Sequence, residues 1–265
     1  IFFREKNFSG IRMTSNRTSE TDLHYGNMCI MTDAENVSCQ QYWYRAEWFD
    51  SLQTFWNDVN RHGKLKNRIY ENDHRKPNEK LDWDGDDMGT LGAHVTVRPG
   101  ENASVRFVLG WFFPNCENYW NPEKDQTVQR QWKNYYATIF SSSWHCAQYT
   151  LENYERLYQG TLRFQQALMR TSLPAECMEA VSANLSILKS ATVMRLEDGS
   201  FYGFEGCCVD SGCCEGSCSH VWNYAYALPY LFPRLERSMR DLEYRYSQRE
   251  DGSVSFRLQL PLGRH

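Results

Sequence analysis

Residues 199–237 read GSFYGFEGCCVDSGCCEGSCSHVWNYAYALPYLFPRLER. The stretch opens as a short aromatic strand (Phe201–Phe204), continues through a loop with five of the ten cysteines, and ends in a long apolar helix from about His220. One carboxylate, Glu205, leaves the strand between Phe204 and Gly206. Aromatic neighbours would partly desolvate it, and the glycine would let a ligand approach the backbone. Glu205 is therefore a candidate catalytic group, although a glutamate at a strand end is more often a solvated turn residue.

The residues around this stretch predict a hairpin before it and helices after it. Residues 192–196 alternate as a strand and Asp198–Gly199 form a tight turn, so Glu205 would sit at the end of a small hairpin. Pro229 and Pro233 are expected to kink or restart the apolar helix. Its amphipathic continuation carries Leu235, Met239, Leu242 and Tyr246. A turn at Asp251–Gly252 and a strand over Ser253–Leu260 follow.

The first 118 residues have the punctuation of antiparallel β structure, with short apolar runs separated by Asn, Ser, Thr, Asp and Gly. The clearest unit is a hairpin over Ala93–Pro114. Val95 and Val97 form its first strand, and Pro99–Gly100 form its turn. The returning strand is expected to place Val105, Phe107, Leu109 and Trp111 on one buried face.

Three segments show helical spacing instead. The first carries Trp48, Leu52, Phe55 and Val59 on one stripe and has Gly63 as its C-terminal cap. The second lies within Gln131–Arg170, and the third covers Pro174–Ser190 with its proline in the first turn. Between β and helical textures, the polar residues 119–133 are typical of a linker.

Charge and hydropathy exclude several classes of function. The net charge of −4 provides no basic field, so neither nucleic acid nor an anionic membrane is an expected partner. No apolar run approaches the roughly 20 residues of a membrane span, and the N-terminal residues lack the features of a signal peptide. A cytoplasmic location is favoured. The chain is interpreted as a piece truncated at both ends, and the lack of a starting methionine indicates truncation at its N-terminus.

The cysteines offer a second hypothesis. Vicinal pairs in the loop of 199–237 do not have the C-x2-C spacing of zinc knuckles or ribbons, although four of these groups could converge on one ion. We therefore expect no metal and no cofactor, and interpret the loop cysteines as packing thiols or a disulfide. The remaining five are expected to be reduced and mostly buried: Cys29, Cys39, Cys116, Cys146 and Cys177.

Several motifs resemble those of one enzyme family. They are GIRMTS, YWYRAEWFDSLQTFWNDV and FVLGWFFPN in the first half, and FYGFEG, GCCEGSCSHVWNYAYAL and PYLFPRLERSMR in the second. Together they resemble glycoside hydrolase family 116, the family of the non-lysosomal glucosylceramidases and their microbial relatives. The resemblance covers nearly the whole chain.

The resemblance implies a two-domain α+β fold. Residues 1–118 would belong to an N-terminal antiparallel β-sandwich, with residues 119–133 as linker. Residues 134–265 would supply connecting helices and the start of a catalytic (α/α)6 barrel, which needs about twelve helices and is therefore incomplete here.

The resemblance also implies a retaining β-glycosidase acting on β-glucosides with two carboxylates. Its nucleophile falls on Glu205, whereas its acid/base Asp matches nothing in this chain and is expected beyond His265, so that this piece alone would be inactive. Animal-type members have a sugar-binding Asp where this chain has Ser219. His220, Trp222 and Asn223 could line the sugar site instead, by hydrogen bonding and ring stacking, or could be a helix cap and core residues.

Other interpretations stay open. Asp210 and Glu215 are rival carboxylates in the same loop, with small neighbours that suggest solvated positions. The chain could also be a non-catalytic carbohydrate-binding or structural module, or a metal-binding domain built on the cysteine loop.

Overall fold

The structure is a computed structural model of the chain. It describes residues 1–15, 18–45, 48–70, 87–117, 131–190, 192–203, 206–207, 212–213, 217–218, 228–258 and 260.

The described part of the chain has an α+β architecture. Its strands are β1 (Phe2–Glu5), β2 (Phe8–Thr14), β3 (Asn27–Thr32), β4 (Val37–Gln40), β5 (Thr90–Ala93), β6 (Phe107–Phe112), β7 (Asn115–Glu117), β8 (Gln131–Lys133), β9 (Val193–Arg195), β10 (Phe201–Gly203), β11 (Gly206–Cys207), β12 (Gly212–Cys213), β13 (Ser217–Cys218) and β14 (Arg257–Leu258). Its helices are α1 (Asp50–His62), α2 (Ser143–Glu152), α3 (Tyr154–Met169), α4 (Ala175–Ala183), α5 (Leu228–Leu231) and α6 (Pro233–Ser247), with 3-10 turns at Tyr135–Thr138 and Asn184–Lys189.

The chain divides into two compact units. The first comprises Ile1–Glu20, Tyr25–Phe113 and Phe140–Leu157, and the second comprises Thr21–His24, Pro114–Ile139 and Tyr158–His265.

The first unit is built on a four-stranded antiparallel sheet in the order β1-β2-β3-β6. β1 and β2 form a tight hairpin in which Glu5 pairs with Phe8, and Lys6 in the turn has φ 50. A positive φ in a two-residue loop gives the turn the twist that an antiparallel pair needs. β6 joins β3 from far along the chain, pairing Phe107 with Thr32.

One face of this sheet is covered by α2. Cys29 and Met31 of β3 are buried against Ala147 and Leu151 of the helix, and burying a large apolar side chain contributes about 1.5–3 kcal/mol. The helix begins after Ser142, whose hydroxyl accepts a hydrogen bond from the His145 N–H. Residues 142–152 thus cover this face of the sheet along β3 and β6.

The opposite face of the sheet packs against the β4–β5 pair. Ile11 of β2 is buried with Cys39 and Leu91. α1 is tied to β4 by Asp58, whose carboxylate accepts hydrogen bonds from Gln40 at 2.8 Å and from Arg68 at 2.6 Å. The first unit therefore has apolar contacts on both faces of its sheet.

The helix and cap expected around α1 are confirmed, but the apolar stripe of this helix is only partly buried. Gly63 has φ 60 and donates its N–H to the Val59 carbonyl. Phe55 stacks on Trp43 with ring centroids 4.4 Å apart, whereas Leu52 is more than half exposed.

The hairpin expected over Ala93–Pro114 is wrong, although its turn exists. The Glu101 N–H donates to the Arg98 carbonyl, and Gly100 has φ 81. β6, however, pairs with β3, and β5 pairs with β4. The face of β6 that was predicted to be buried is exposed. The prediction chose the more apolar of the two alternating sets of residues in β6, whereas the set that faces α2 contains a glycine and is the less apolar one.

The described chain after residue 131 confirms most of the helices expected there. α3 and α4 form within the predicted segments, although β8 occupies the first three residues and pairs with β7. α6 restarts the chain at Pro233, as predicted, and buries Met239 completely. The turn at Asp251–Gly252 is present, with φ 84 at the glycine, whereas the strand after it is limited to β14.

Candidate active site

The hairpin expected before Glu205 is present. β9 and β10 pair antiparallel, with Phe201 opposite Arg195. Gly199 has φ 87, a conformation that favours glycine, and its N–H donates to the Leu196 carbonyl. The Asp198 carboxylate accepts hydrogen bonds from the Ser200 N–H and hydroxyl, which stabilises the turn.

β10 is buried on both faces. Phe201 packs with Leu228 and Met239, on the side of α5 and α6. Tyr202 lies on the other side, in a cluster with Met194 and Leu258. Loss of solvation raises the pKa of Tyr202 to about 12. The strand that leads toward Glu205 is thus held between two apolar clusters.

The end of β10 is fixed by the second half of the cysteine loop. The Gly203 N–H donates to the Ser217 hydroxyl at 3.2 Å, and Ser217 is almost fully buried. β13 pairs with β14, with Ser217 opposite Leu258. The chain therefore returns to the end of β10 after the loop, and a buried hydrogen bond sets the position of Gly203.

The predicted site residues lie outside the described residues. Those residues are Glu205, His220, Trp222 and Asn223, together with the rival carboxylates Asp210 and Glu215. The structure describes the strand that precedes Glu205, up to Gly203, and the backbone pairing of β11 with β12. Which site residues come together stays a prediction.

A buried charged stripe on α6 was missed by sequence reasoning. Glu243 is only 5% exposed, and its carboxylate lies 3.5 Å from the Arg240 guanidinium, which also pairs with Glu236. Burial raises the pKa of Glu243, while Arg240 opposes the rise. The spacing of these residues by four and three places them on one helix face, a signal that the sequence did contain.

The five scattered cysteines are free thiols, as predicted. Cys29 and Cys39 are buried, but Cys116 and Cys146 are half-buried and Cys177 is exposed, so the expectation of burial holds in part. Burial raises the pKa of Cys116 to about 11, and the nearby Glu197 adds to the rise. Within the described ranges, no three His, Cys, Asp or Glu side chains are placed to hold a metal ion.

Comparison with models of known protein families gives a match. Residues 2–157 match the model described as beta-glucosidase 2, glycosyl-hydrolase family 116 N-terminal domain, which is more than half of the 265 residues. The chain belongs to glycosyl-hydrolase family 116. A search of curated proteins found no match.

The family 116 model covers the sheet, α1 and α2, and therefore nearly the whole first unit. This membership associates the chain with glycoside hydrolysis and with a carbohydrate substrate. In the described part of the chain, none of the helices has the length and apolar character needed to cross a bilayer.

Proposed function

We propose that this protein is a retaining β-glycosidase that hydrolyses β-glucosides, with Glu205 as its nucleophile. The observation that carries the proposal is the family match over residues 2–157, followed in the same chain by the FYGFEG motif. The β9–β10 hairpin supports it, because its second strand is buried and ends at Gly203. A carboxylate needs such a rigid support to meet a substrate at a fixed position.

The chemistry requires two carboxylates. The Glu205 carboxylate attacks the anomeric carbon and forms a glycosyl ester while the glycosidic bond breaks. A second carboxylic acid gives its proton to the leaving oxygen and then activates the water that hydrolyses the ester. In retaining enzymes the two carboxyl groups lie about 5–5.5 Å apart. We assign this acid/base to no residue of the chain.

We further propose that His220, Trp222 and Asn223 contact the sugar. An imidazole and an amide can hydrogen-bond to sugar hydroxyls, and an indole ring can stack on the apolar face of a sugar. All three residues follow β13, whose Ser217 is bound to Gly203.

The finer architecture is also a proposal. Residues 1–118 would form a β-sandwich domain, residues 119–133 a linker, and residues 134–265 the connecting helices and first helices of an (α/α)6 barrel. The antiparallel sheet of the first unit supports the former, and α3 to α6 support the latter.

The test compares Glu205→Gln with Glu215→Gln in the full-length protein. Glutamine keeps the shape of the side chain and removes the charge that captures the anomeric carbon. Hydrolysis of an aryl β-glucoside should fall by about 10³-fold or more for Glu205→Gln, with folding intact. Glu215→Gln should retain near-normal turnover.

Two further measurements identify the intermediate. Azide or formate should restore turnover to Glu205→Gly, which lacks the side chain, because a small anion can attack where the carboxylate stood. A 2-deoxy-2-fluoro glucoside, which slows the second step, should label a single peptide containing Glu205. Labelling of Asp210 or Glu215, or full activity of Glu205→Gln, would reject the assignment.

A second candidate function is glycan binding by the first unit. A cavity of about 740 Å³ there is lined by both charge signs and by an amide, including Lys6, Asn7, Asp33 and Glu152. Sugar hydroxyls need such mixed donors and acceptors. Under this alternative, glucan binding measured by calorimetry would persist in Glu205→Gln and weaken in Asn7→Ala, and the gene-encoded protein would show no turnover.

A further inference from the structure

A cleft in the second unit lies beside the β9–β10 hairpin. Its volume is about 390 Å³, and its walls come from β9, β10, the two 3-10 turns and the start of α6. This volume is within the range of pockets that hold small molecules. The side chains that line the cleft differ sharply in character between floor and rim.

The floor of the cleft is apolar. Phe201 is buried there, and Val193, Phe232 and Leu235 are half-buried around it. These side chains present hydrocarbon surface to whatever occupies the cleft, and covering such surface contributes roughly 25 cal/mol per Å².

The rim of the cleft carries two cations. The Arg195 guanidinium lies 3.6 Å from the centre of the Tyr135 ring, which fixes its plane by a cation–π contact. Lys189 borders the same cleft, and both cations are exposed. In the part of the chain that the structure describes, neither side chain has a carboxylate partner. The N–H donors of Arg195 are therefore available to an anion.

The nearby described carboxylates are directed elsewhere. Glu197 does not line the cleft, and its charge adds to the raised pKa of the Cys116 thiol. Asp198 accepts its hydrogen bonds from Ser200 in the hairpin turn. Glu236, next to Leu235, is paired with Arg240. The cleft itself is lined by no acidic residue of the described chain, in a protein whose net charge is negative.

We propose that this cleft binds a small organic anion, with a carboxylate at Arg195 and Lys189 and an apolar body on Phe201, Val193 and Phe232. Binding in this cleft would not depend on catalysis by Glu205. A guanidinium that is already oriented loses little freedom on binding, and it prefers a carboxylate with two parallel hydrogen bonds.

The test uses 4-phenylbutyrate as the probe and its neutral amide as the matched compound. Binding to the gene-encoded protein is measured by isothermal titration calorimetry and by saturation-transfer NMR. The acid should bind at least about fivefold more tightly than the amide, because a charge-assisted hydrogen bond is roughly twice as strong as a neutral one.

Variants then locate the site. Arg195→Gln should abolish the advantage of the acid, and Lys189→Gln should reduce it. Arg170→Gln, which removes an exposed cation outside the cleft, should leave it unchanged. Lys189 and Arg170 are exposed and make no such contact with a ring of the described chain, so the melting temperature should not change when either is replaced by glutamine, whereas Arg195→Gln should lower it only slightly through loss of the contact with Tyr135. Equal binding of acid and amide, or equal effects of Arg195→Gln and Arg170→Gln, would overturn the proposal.

Discussion

At Gly110, the first turn of α2 lies close against the sheet. A Cβ at this position would lie 2.5 Å from the Ser143 carbonyl oxygen and 3.1 Å from the Cys29 sulfur. Since backbone cannot yield as a flexible side chain can, Gly110→Ala should push the helix from the sheet. We expect a loss of about 1–3 kcal/mol in the free energy of unfolding, measured by urea denaturation.

Gly160 provides the matched control. It lies inside α3, and an added Cβ meets no atom within 4 Å. Gly160→Ala should therefore stabilise the protein by about 0.5–1 kcal/mol, because alanine is the better helix former. Opposite signs for the two substitutions would support the packing of α2; a neutral Gly110→Ala would contradict it.

Glu243 should make stability depend on pH. Burial raises the pKa of its carboxyl in the folded protein, so the folded state binds the proton more tightly than the unfolded state. Its contribution to stability is complete below the ordinary pKa of glutamate and is lost as the pH rises through the folded value. Glu243→Gln should therefore gain stability relative to the parent between pH 4 and pH 7, by a few degrees in melting temperature.

The control is Asp241→Asn, on the exposed face of the same helix. Its melting temperature should differ from that of the parent by the same small amount at both pH values. If Glu243→Gln instead lost stability relative to the parent as the pH rose, the ion pair with Arg240 would outweigh the cost of burying the carboxylate.

At the scale of the element, the test concerns which of the two faces of β6 is buried. Val108 faces the cluster under α2, whereas Leu109 is 53% exposed. Val108→Thr buries a hydroxyl and should cost about 1–2 kcal/mol, while Leu109→Thr should cost less than about 0.5 kcal/mol. Urea denaturation of both variants gives the comparison.

The reverse order of these costs would mean that the outer face of β6 is the covered one. A second measurement comes from the same pair. Leu109→Thr should reduce concentration-dependent scattering of the protein, because exposed apolar patches favour association. Val108→Thr should not reduce it.

Elements with a local cause were predictable from the sequence. The cap of α1 requires only Gly63 and a Val59 carbonyl within hydrogen-bonding distance. The β9–β10 turn likewise requires only Asp198 and Gly199. Neither the strand that pairs with β6 nor the buried face of β6 was predictable. Alternation gives two equivalent faces, and the choice between them depends on α2 and β3, which are distant in sequence.

At the scale of the whole molecule, the cysteine loop should bind no zinc. Vicinal cysteines point in different directions, and the spacing differs from that of zinc knuckles or ribbons. The gene-encoded protein, purified under reducing conditions with added zinc, should contain well below one zinc per chain by elemental analysis. EDTA should leave its melting temperature unchanged.

The control variants are Cys213→Ser in the loop and Cys177→Ser, an exposed thiol on α4. Both should have the metal content of the parent. One zinc per chain, lost in Cys213→Ser but not in Cys177→Ser, together with a melting temperature that EDTA lowers, would establish a structural metal site.

The sequence by itself determined the family, the α+β class and the turns, because these depend on motifs and on neighbours a few residues apart. It also singled out Glu205, through the FYGFEG motif alone. Only the tertiary structure decided that β6 pairs with β3, that Glu243 is buried beside Arg240, and that Arg195 stacks on Tyr135 at the rim of a cleft. Each of these depends on which surfaces exclude water when distant elements pack together, and hydrophobic periodicity does not encode the partner of a face.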